Sequence, residues 1–500
     1  AGLDCTSAIL IGEYVGGTGS FGVTLSVHSG IGTMPLALFG NSAQKKKYLP
    51  PLVNGEKIGA YALTEPKSGT DALSIETRAR LSPDGKYYIL DGTKQFITNG
   101  GIADIFFTYA KVDGDKMTAF VVERGFEGVS TGPEEGKLGI RGSSTTNLFL
   151  DSARVPARNI IFEIGRGHVV AFNTLNIGRF KVAAGCVGMA KQALEDCIAY
   201  ARERVQFGRP ICQFGLIQSK IAGMATDIYM AESMLYRTCG LIDGALSTID
   251  RNAKDTGKQY AKSLSDYAIE CSINKIYCSE MLARVTDEAV QIFGGYGCCD
   301  DYPAERLYRD CRIFRIYEGT NEINRVIIAG RLLKKVISGE IDTSSAAVLG
   351  DSTSVDAGPL GYQQSLLRKA KEMFLLAFDA AMAKYGDAMD EEQEIMGMIS
   401  DMAIDIYAAE SGLLRALKSI RNFGEQPSFA KICMVHLYMN ASVFRIADCA
   451  QQILAAVAAG ETLETKMEAL REISRFTPAD SIRARRIIAE RAIEAKRFTC

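Results

Sequence analysis

Between about Gly167 and Ile337 the apolar residues recur at a 3.6-residue period. They do so in four long segments, near 167–203, 213–247, 255–293 and 321–338, joined by short polar connections. Helices this long, each with an apolar stripe, bury those stripes best against one another, which predicts a four-helix bundle over 163–337. The neighbouring chain has to fit around it. From Ile58 to about Ile161 the period falls to two. The alternating runs Lys86–Leu90 and Met117–Val122 each follow a turn, Pro83-Asp84-Gly85 and Asp113-Gly114-Asp115, so residues 58–162 read as an antiparallel β domain. No Gly-x-Gly-x-x-Gly follows a strand, which argues against a parallel dinucleotide-binding sheet. Residues 1–57 read as mostly helical, with Asn41-Ser42 capping a helix that Pro50-Pro51 is expected to end.

Beyond the bundle, residues 338–362 are rich in Ser, Thr, Gly, Asp and Ala and read as a linker. Residues 363–500 return to a helical period. There Ile395, Ile399, Met402, Ile406, Leu413, Leu417 and Ile420 form a stripe that fits a packing face better than a membrane face. The class is therefore multidomain α+β, and 500 residues exceed what one core serves. A net charge of −2 gives no electrostatic reason to expect nucleic acid. Thirteen scattered cysteines without a Cys-x-x-Cys pair, and only three histidines, leave little from which to build a metal site, so no metal is expected. No secretory signal is visible. The chain opens at Ala1-Gly2-Leu3-Asp4 without Met, as if within a helical domain that has lost its first part. The compartment expected is the bacterial cytoplasm or the mitochondrial matrix and inner-membrane surface, not the exterior.

The most informative chemistry lies in Arg312-Ile313-Phe314-Arg315-Ile316-Tyr317-Glu318-Gly319-Thr320-Asn321-Glu322-Ile323-Asn324-Arg325. Thr320 or Asn321 can cap a helix whose positions Ile323, Val326, Ile327 and Leu333 share a face. Glu318 then sits just before free helix N–H groups, a seat for a general base. By residue type alone, a capping or surface glutamate is the commoner reading. Tyr61-Ala62-Leu63-Thr64-Glu65-Pro66-Lys67-Ser68-Gly69-Thr70-Asp71 is a strand breaking into a hydroxyl-rich loop, suited to a ring edge or a phosphate; standing alone, a plain turn is the commoner reading.

Taken together, the motifs resemble the acyl-CoA dehydrogenase flavoproteins. The carriers are Tyr61–Asp71, Lys94-Gln95-Phe96-Ile97-Thr98-Asn99-Gly100, Lys137–Thr145, Asn176-Ile177-Gly178-Arg179, Arg204-Val205-Gln206-Phe207-Gly208, Gln291–Gly297, Glu305–Asp310 and Tyr317–Ile323, in the family's order. The resemblance covers about residues 30–337. It implies the family's fold: a helical N-terminal part, a middle antiparallel β domain and a four-helix bundle. An additional C-terminal α-helical domain is shared with the very-long-chain branch. It further implies FAD held by Tyr61, Leu63, Thr64, Gly69, Thr70, Phe96, Ile97, Thr98, Thr320 and Glu322. Arg204, Gln206, Phe207, Gln291, Gly294 and Gly295 would reach the dinucleotide of a neighbouring subunit, which makes a homodimer. Thr70, Ser143, Asn176, Arg179, Tyr317 and Gly319 would meet the acyl-CoA, and Glu318 would be the base.

Some positions depart from the family. Thr70 stands where Ser is usual, Phe96 where Trp is common, and Gly215 where many relatives carry Gln. The activity implied is FAD-dependent α,β-dehydrogenation of a fatty acyl-CoA, long or very long in chain, with electrons passed to an electron-transfer flavoprotein. An acyl-CoA oxidase, a flavin monooxygenase or a non-catalytic assembly scaffold on the same fold are the alternatives. In the branch with the extra domain, part of the extension is linked with the inner membrane surface. Here the basic Ser481–Ile488 segment offers such a peripheral contact, and a solvated helix explains it equally well.

Overall fold

The computed structural model describes residues 4–250, 256–341 and 358–499, so most of the expected linker lies outside the described residues. The chain divides into two compact units. One comprises Ala1–Met189, Thr238–Cys271 and Arg309–Thr320; the other comprises Ala190–Arg237, Ser272–Tyr308 and Asn321–Cys500.

The first unit opens with α1 (Cys5–Gly16), α2 (Ser20–Ser29), α3 (Met34–Phe39) and α4 (Ser42–Val53). Asn41 caps α4 reciprocally: its side chain accepts the Gln44 N–H (2.9 Å) while the Gln44 side chain accepts the Asn41 N–H (3.0 Å). Pro50 and Pro51 do not end this helix, which runs on to Val53. Both prolines fall in its last turns, where few N–H groups are lost, and buried Tyr48 and Leu52 anchor the turn on either side. Ser20–Phe39 is long and apolar enough to cross a membrane by length and composition. It is broken between α2 and α3, and Leu36, Leu38 and Phe39 lie in the core.

Eight strands follow: β1 (Gly59–Ala62), β2 (Arg78–Leu81), β3 (Tyr87–Thr98), β4 (Ile105–Val112), β5 (Lys116–Glu123), β6 (Val129–Thr131), β7 (Thr145–Pro156) and β8 (Ile160–Ile161). Their order is β6-β7-β3-β2-β4-β5-β8, with β1 also on β4. The sheet is mixed, which corrects the all-antiparallel expectation. β1 runs parallel to the first half of β4, and β2 runs parallel to its end. The segments joining β1 and β2 to β4 are long enough to cross over. The Asp113-Gly114 turn between β4 and β5 has φ of +49° and +90° and permits only a hairpin. Strand β4 is covered on both faces. Ile105, Phe107 and Tyr109 pack with Leu36, Tyr48 and Tyr61, while Phe106, Ala110 and Val112 pack with Leu90, Leu148 and Val155.

The predicted long helices are α5 (Gly167–Glu203), α6 (Gly215–Ser247), α7 (Thr256–Asp266), α8 (Ala268–Phe293), the short α9 (Pro303–Cys311) and α10 (Asn321–Ile337). The third periodic segment is thus two helices, interrupted at Tyr267. In the first unit α1 meets α5 backbone to backbone: a Cβ on Gly16 would lie 2.5 Å from the Gly185 carbonyl oxygen.

In the second unit α10 packs on α12 (Gln393–Phe423). That helix lies with α11 (Gly361–Tyr385) and α13 (Phe429–Val457), followed by α14 (Gly460–Ile473) and α15 (Ser481–Ala495). Ile395, Ile399, Met402 and Leu413 of the expected stripe are buried, and Ile406, Leu417 and Ile420 are half-buried, so the stripe is a packing face. Partly buried ion pairs tie these helices to the bundle segments. Arg325 bonds Glu280 (2.9 Å) and Asp401 (2.7 Å), and Glu232 bonds Arg415 (2.5 Å). The buried face of α10 is Asn321, Asn324, Ile328, Ala329 and Leu333. It is rotated from the expected one because two asparagines turn inward.

Candidate active site

Glu318 lies between the 3₁₀ turn Arg312–Arg315 and α10. Its φ is +58° and that of Gly319 is +81°, two successive left-handed residues. Glycine takes that conformation freely. A glutamate there costs of order 1–2 kcal/mol and persists only where its surroundings fix it. Arg179 does part of this: its Nε–H donates to the Glu318 carbonyl oxygen (3.2 Å), and its Nη1–H donates to Asn176 Oδ1 (2.9 Å). Asn176 and Arg179 stand three apart on α5, on one face, and both are buried.

The carboxylate itself rests against Gly178, where a Cβ would lie 2.6 Å from the Glu318 Cδ and 2.8 Å from its Oε1. The helix therefore gives the glutamate bare backbone to occupy. Tyr61 of β1 shares this electrostatic environment. Burial pushes its phenol well up, Tyr109 adds to that, and Glu318 raises it further while Arg179 opposes. Tyr317 is also held protonated, by burial first and then by Cys186 and Glu318, and its ring meets Phe314 at 5.3 Å. Glu318, Tyr317, Gly319, Asn176, Arg179 and Tyr61 thus come together. Thr320 closes the turn, half-buried. Asn321 is not a cap: it is the first residue of α10, and its Oδ1 accepts from Lys275 Nζ (2.6 Å).

The two motifs expected at a flavin also meet in the first unit. Gly69 and Thr70 are exposed, Thr64 and Thr98 half-exposed, and the Gln95 N–H donates to the Thr64 carbonyl (2.8 Å). Strand β3 slips register against β7 between Lys94 and Ile97, and Phe96 takes φ +57° with 58% of its surface exposed. The bulge turns an aromatic face outward. Leu63 and Ile97 are core residues whose side chains pack inward, so what they offer outward is their backbone. Ser143 is buried too. Its hydroxyl donates to the Ile140 carbonyl (2.7 Å) and accepts from Lys137 Nζ (3.1 Å), so it shapes its loop and does not face outward.

The second unit carries the other expected cofactor residues. Arg204, Gln206, Phe207, Gln291, Gly294 and Gly295 are all exposed, Phe207 at 94% with φ +51°. The Tyr200 hydroxyl donates to the Phe293 carbonyl (3.2 Å) and Arg204 lies over the Tyr296 ring (5.5 Å), so the two segments form one surface. Glu322 is exposed at the start of α10. In the first unit, hydroxyl donors beside an outward aromatic suit the edge and face of a flavin ring; in the second, an exposed Arg and glycine backbone suit the phosphates of a dinucleotide. Residue spacing did not single out Gly178, Lys275 or the Glu65–Lys94 pair, each of which acts through a contact distant in sequence, nor Lys137, whose ammonium bonds Ser143 and Thr145 within its own loop.

Comparison with known proteins agrees. Domain profiles described as the N-terminal, middle and C-terminal domains of acyl-CoA dehydrogenase match residues 1–56, 60–153 and 165–333. A further acyl-CoA dehydrogenase C-terminal domain profile matches 369–472. A probable acyl-CoA dehydrogenase of Bacillus subtilis (strain 168) is 46% identical over 505 residues, covering all of this chain and 85% of its own length. The human mitochondrial very long-chain specific acyl-CoA dehydrogenase is 39% identical over 433 residues. The match takes in 80% of this chain but only 63% of the human protein. The crystal structure of an acyl-CoA dehydrogenase complexed with FAD from Bacillus anthracis superposes with a TM-score of 0.98 at 46% identity. It covers all of this chain and 86% of that one. Fold, ordered motifs and full-length similarity lead to one conclusion: the chain belongs to the acyl-CoA dehydrogenase family.

Proposed function

We propose that the protein removes the α and β hydrogens of a fatty acyl-CoA thioester, long or very long in chain, to give the trans-2-enoyl-CoA. The observation that carries this reading is the pose of Glu318, strained, held by Arg179 and seated on the bare backbone of Gly178. An α-proton next to a thioester is weakly acidic, so a carboxylate fixed within reach of it is the first requirement. Glu318 takes that proton, and its Oε atoms carry it until release. The backbone N–H groups around Gly319 are suited to the thioester oxygen, whose charge grows as the proton leaves. FAD, when bound, supplies the acceptor for the β hydrogen as hydride, which no side chain can provide. Thr64, Thr70 and Thr98 would hold the ring edge, Phe96 its face, and Arg204 with Gln291, Gly294 and Gly295 the pyrophosphate and adenine end.

That last pair of segments faces outward, so the reading includes a homodimer in which each copy serves its partner's cofactor. The electron acceptor proposed is an electron-transfer flavoprotein, and the setting is a bacterial cytoplasm or the mitochondrial matrix and inner-membrane surface. The C-terminal region, with the basic start of α15, would supply any peripheral membrane contact. The test is anaerobic bleaching of the purified yellow protein by saturated acyl-CoAs from C4 to C20, followed by reoxidation with air or with an electron-transfer flavoprotein. Bleaching that peaks at long chains, with reoxidation fast only by the flavoprotein, supports the reading. Fast reoxidation by air makes the protein an oxidase, and no bleaching by any chain length refutes the activity.

A further inference from the structure

A buried ion pair lies directly beneath the two flavin-facing segments and has no role in the chemistry above. Lys94 is fully buried and Glu65 nearly so, with Nζ 2.6 Å from Oε1. The ammonium also reaches the Leu63 carbonyl (3.4 Å). Glu65 accepts in addition from the Glu76 N–H (2.5 Å), the Thr77 N–H (3.1 Å) and the Thr77 hydroxyl. Burial pulls the Lys94 ammonium below the ordinary lysine range while Glu65 opposes. For Glu65, burial works against the carboxylate, but Lys94 and the Thr77 and Glu76 donors outweigh it and hold the acid below its usual range. Both groups are charged at neutral pH.

A buried pair of this kind contributes little net stability compared with two apolar side chains of the same volume, because desolvation offsets the attraction. Its distinctive property is geometric: five donor and acceptor directions are fixed at once. Those directions converge on the place where strand β3 is strained. Phe96, two residues from Lys94, is left-handed and exposed in the bulge, and such a residue relaxes unless its neighbours over-determine it. Lys94 pins the strand entering the bulge to Leu63 and Glu65, and the Gln95 N–H adds the bond to Thr64. The segment carrying Thr64, Gly69 and Thr70 is thereby locked to the one carrying Phe96 and Thr98.

We infer that Glu65 and Lys94 are positioning residues, a buried clamp that sets the hydroxyls of one flavin segment against the aromatic and hydroxyl of the other. This rests on the flavin reading above, so wild-type protein must first be shown to carry FAD; wild type without FAD refutes that reading and not the clamp. Three holoenzymes then decide: K94M, E65Q and the double variant E65L/K94M. K94M leaves a buried carboxylate unpaired and is expected to melt lowest. The double variant removes the unpaired charge but leaves the Glu76 and Thr77 donors without their acceptor, so its Tm is expected to lie between those of K94M and wild type. Its FAD dissociation constant should nevertheless rise roughly tenfold, since held strain of this size is released, and the visible circular dichroism of its bound flavin should change. E65Q keeps the shape and a hydrogen bond to Lys94, and is expected to fall between. A double variant with wild-type Tm and wild-type FAD affinity and dichroism overturns the inference. So does a double variant destabilised as much as K94M, because the pair would then serve only the fold.

Discussion

Replacing Gly178 by alanine separates stability from catalysis in a single methyl group. The added Cβ would lie 2.6 Å from the Glu318 Cδ and 2.8 Å from its Oε1. Carbon atoms in contact sit near about 3.5–4.0 Å, so the carboxyl group has to retreat by roughly 1 Å. It is the end of a flexible side chain, and the fold absorbs the movement cheaply. Alanine is also the better helix former, by about 1 kcal/mol in a helix interior. Thermal stability is therefore expected to hold or rise, and FAD content to stay at wild-type level. A base misplaced by about 1 Å loses roughly 10- to 100-fold in rate. Because the carboxylate acts in the transition state, the loss should appear in kcat with KM little changed. The assays are steady-state turnover of a long-chain acyl-CoA with a dye acceptor, and a melting curve of the same preparation. Alanine at 178 with kcat within threefold of wild type and an intact fold would refute the reasoning, since the seat on α5 would then not fix the base.

Arg179→Lys keeps the charge but loses the fork that spans the Glu318 carbonyl and Asn176; kcat should fall at least about tenfold with FAD retained, read by turnover and absorbance. His28 accepts the Gly59 N–H at Nδ1 (3.1 Å) and so must donate from Nε2 to the Leu52 carbonyl (3.0 Å) as a neutral ring. Burial holds its pKa below 6.5, with the Leu52 carbonyl opposing and Lys181 adding. The unfolded state then binds the proton first, and stability is lost as pH falls below 6.5, by at most about 1.4 kcal/mol per pH unit. Urea midpoints from pH 7 to 5 should fall less for His28→Gln. Arg325→Met leaves Glu280 and Asp401 unpaired at a partly exposed site. It should cost roughly 1–3 kcal/mol, seen as a lowered melting point.

Local patterns in the chain were legible where the physics is local. Asn41 three residues before Gln44 forms the cap it implies, and Asp113-Gly114 makes the hairpin its residues demand. Glu318 before a helix start is equally a short-range feature, and so is the period of α5, α6 and α8. What spacing could not show is contact between distant residues. Arg179 meets Glu318 across 139 positions, and Lys94 meets Glu65 across 29. Nothing periodic marks either. The parallel pairing of β1 with β4 is long-range in the same way. Ile97 and Ser143 stand inside motifs whose neighbours face outward, yet strand alternation turns the first inward and Lys137 binds the second. Pro50 and Pro51 punctuate the sequence without breaking the helix, because tertiary packing of Tyr48 and Leu52 outweighs two missing donors.

The claim on which the rest depends is that Glu318 removes the α-proton. Its most direct test is single-turnover flavin bleaching by a long-chain acyl-CoA, anaerobically, in wild type and Glu318→Gln matched for FAD content. A bleaching rate lowered by roughly 10²-fold or more, with substrate binding retained, is the result expected for loss of a positioned base. A rate within a few-fold of wild type would contradict it and send the search for the base to another residue.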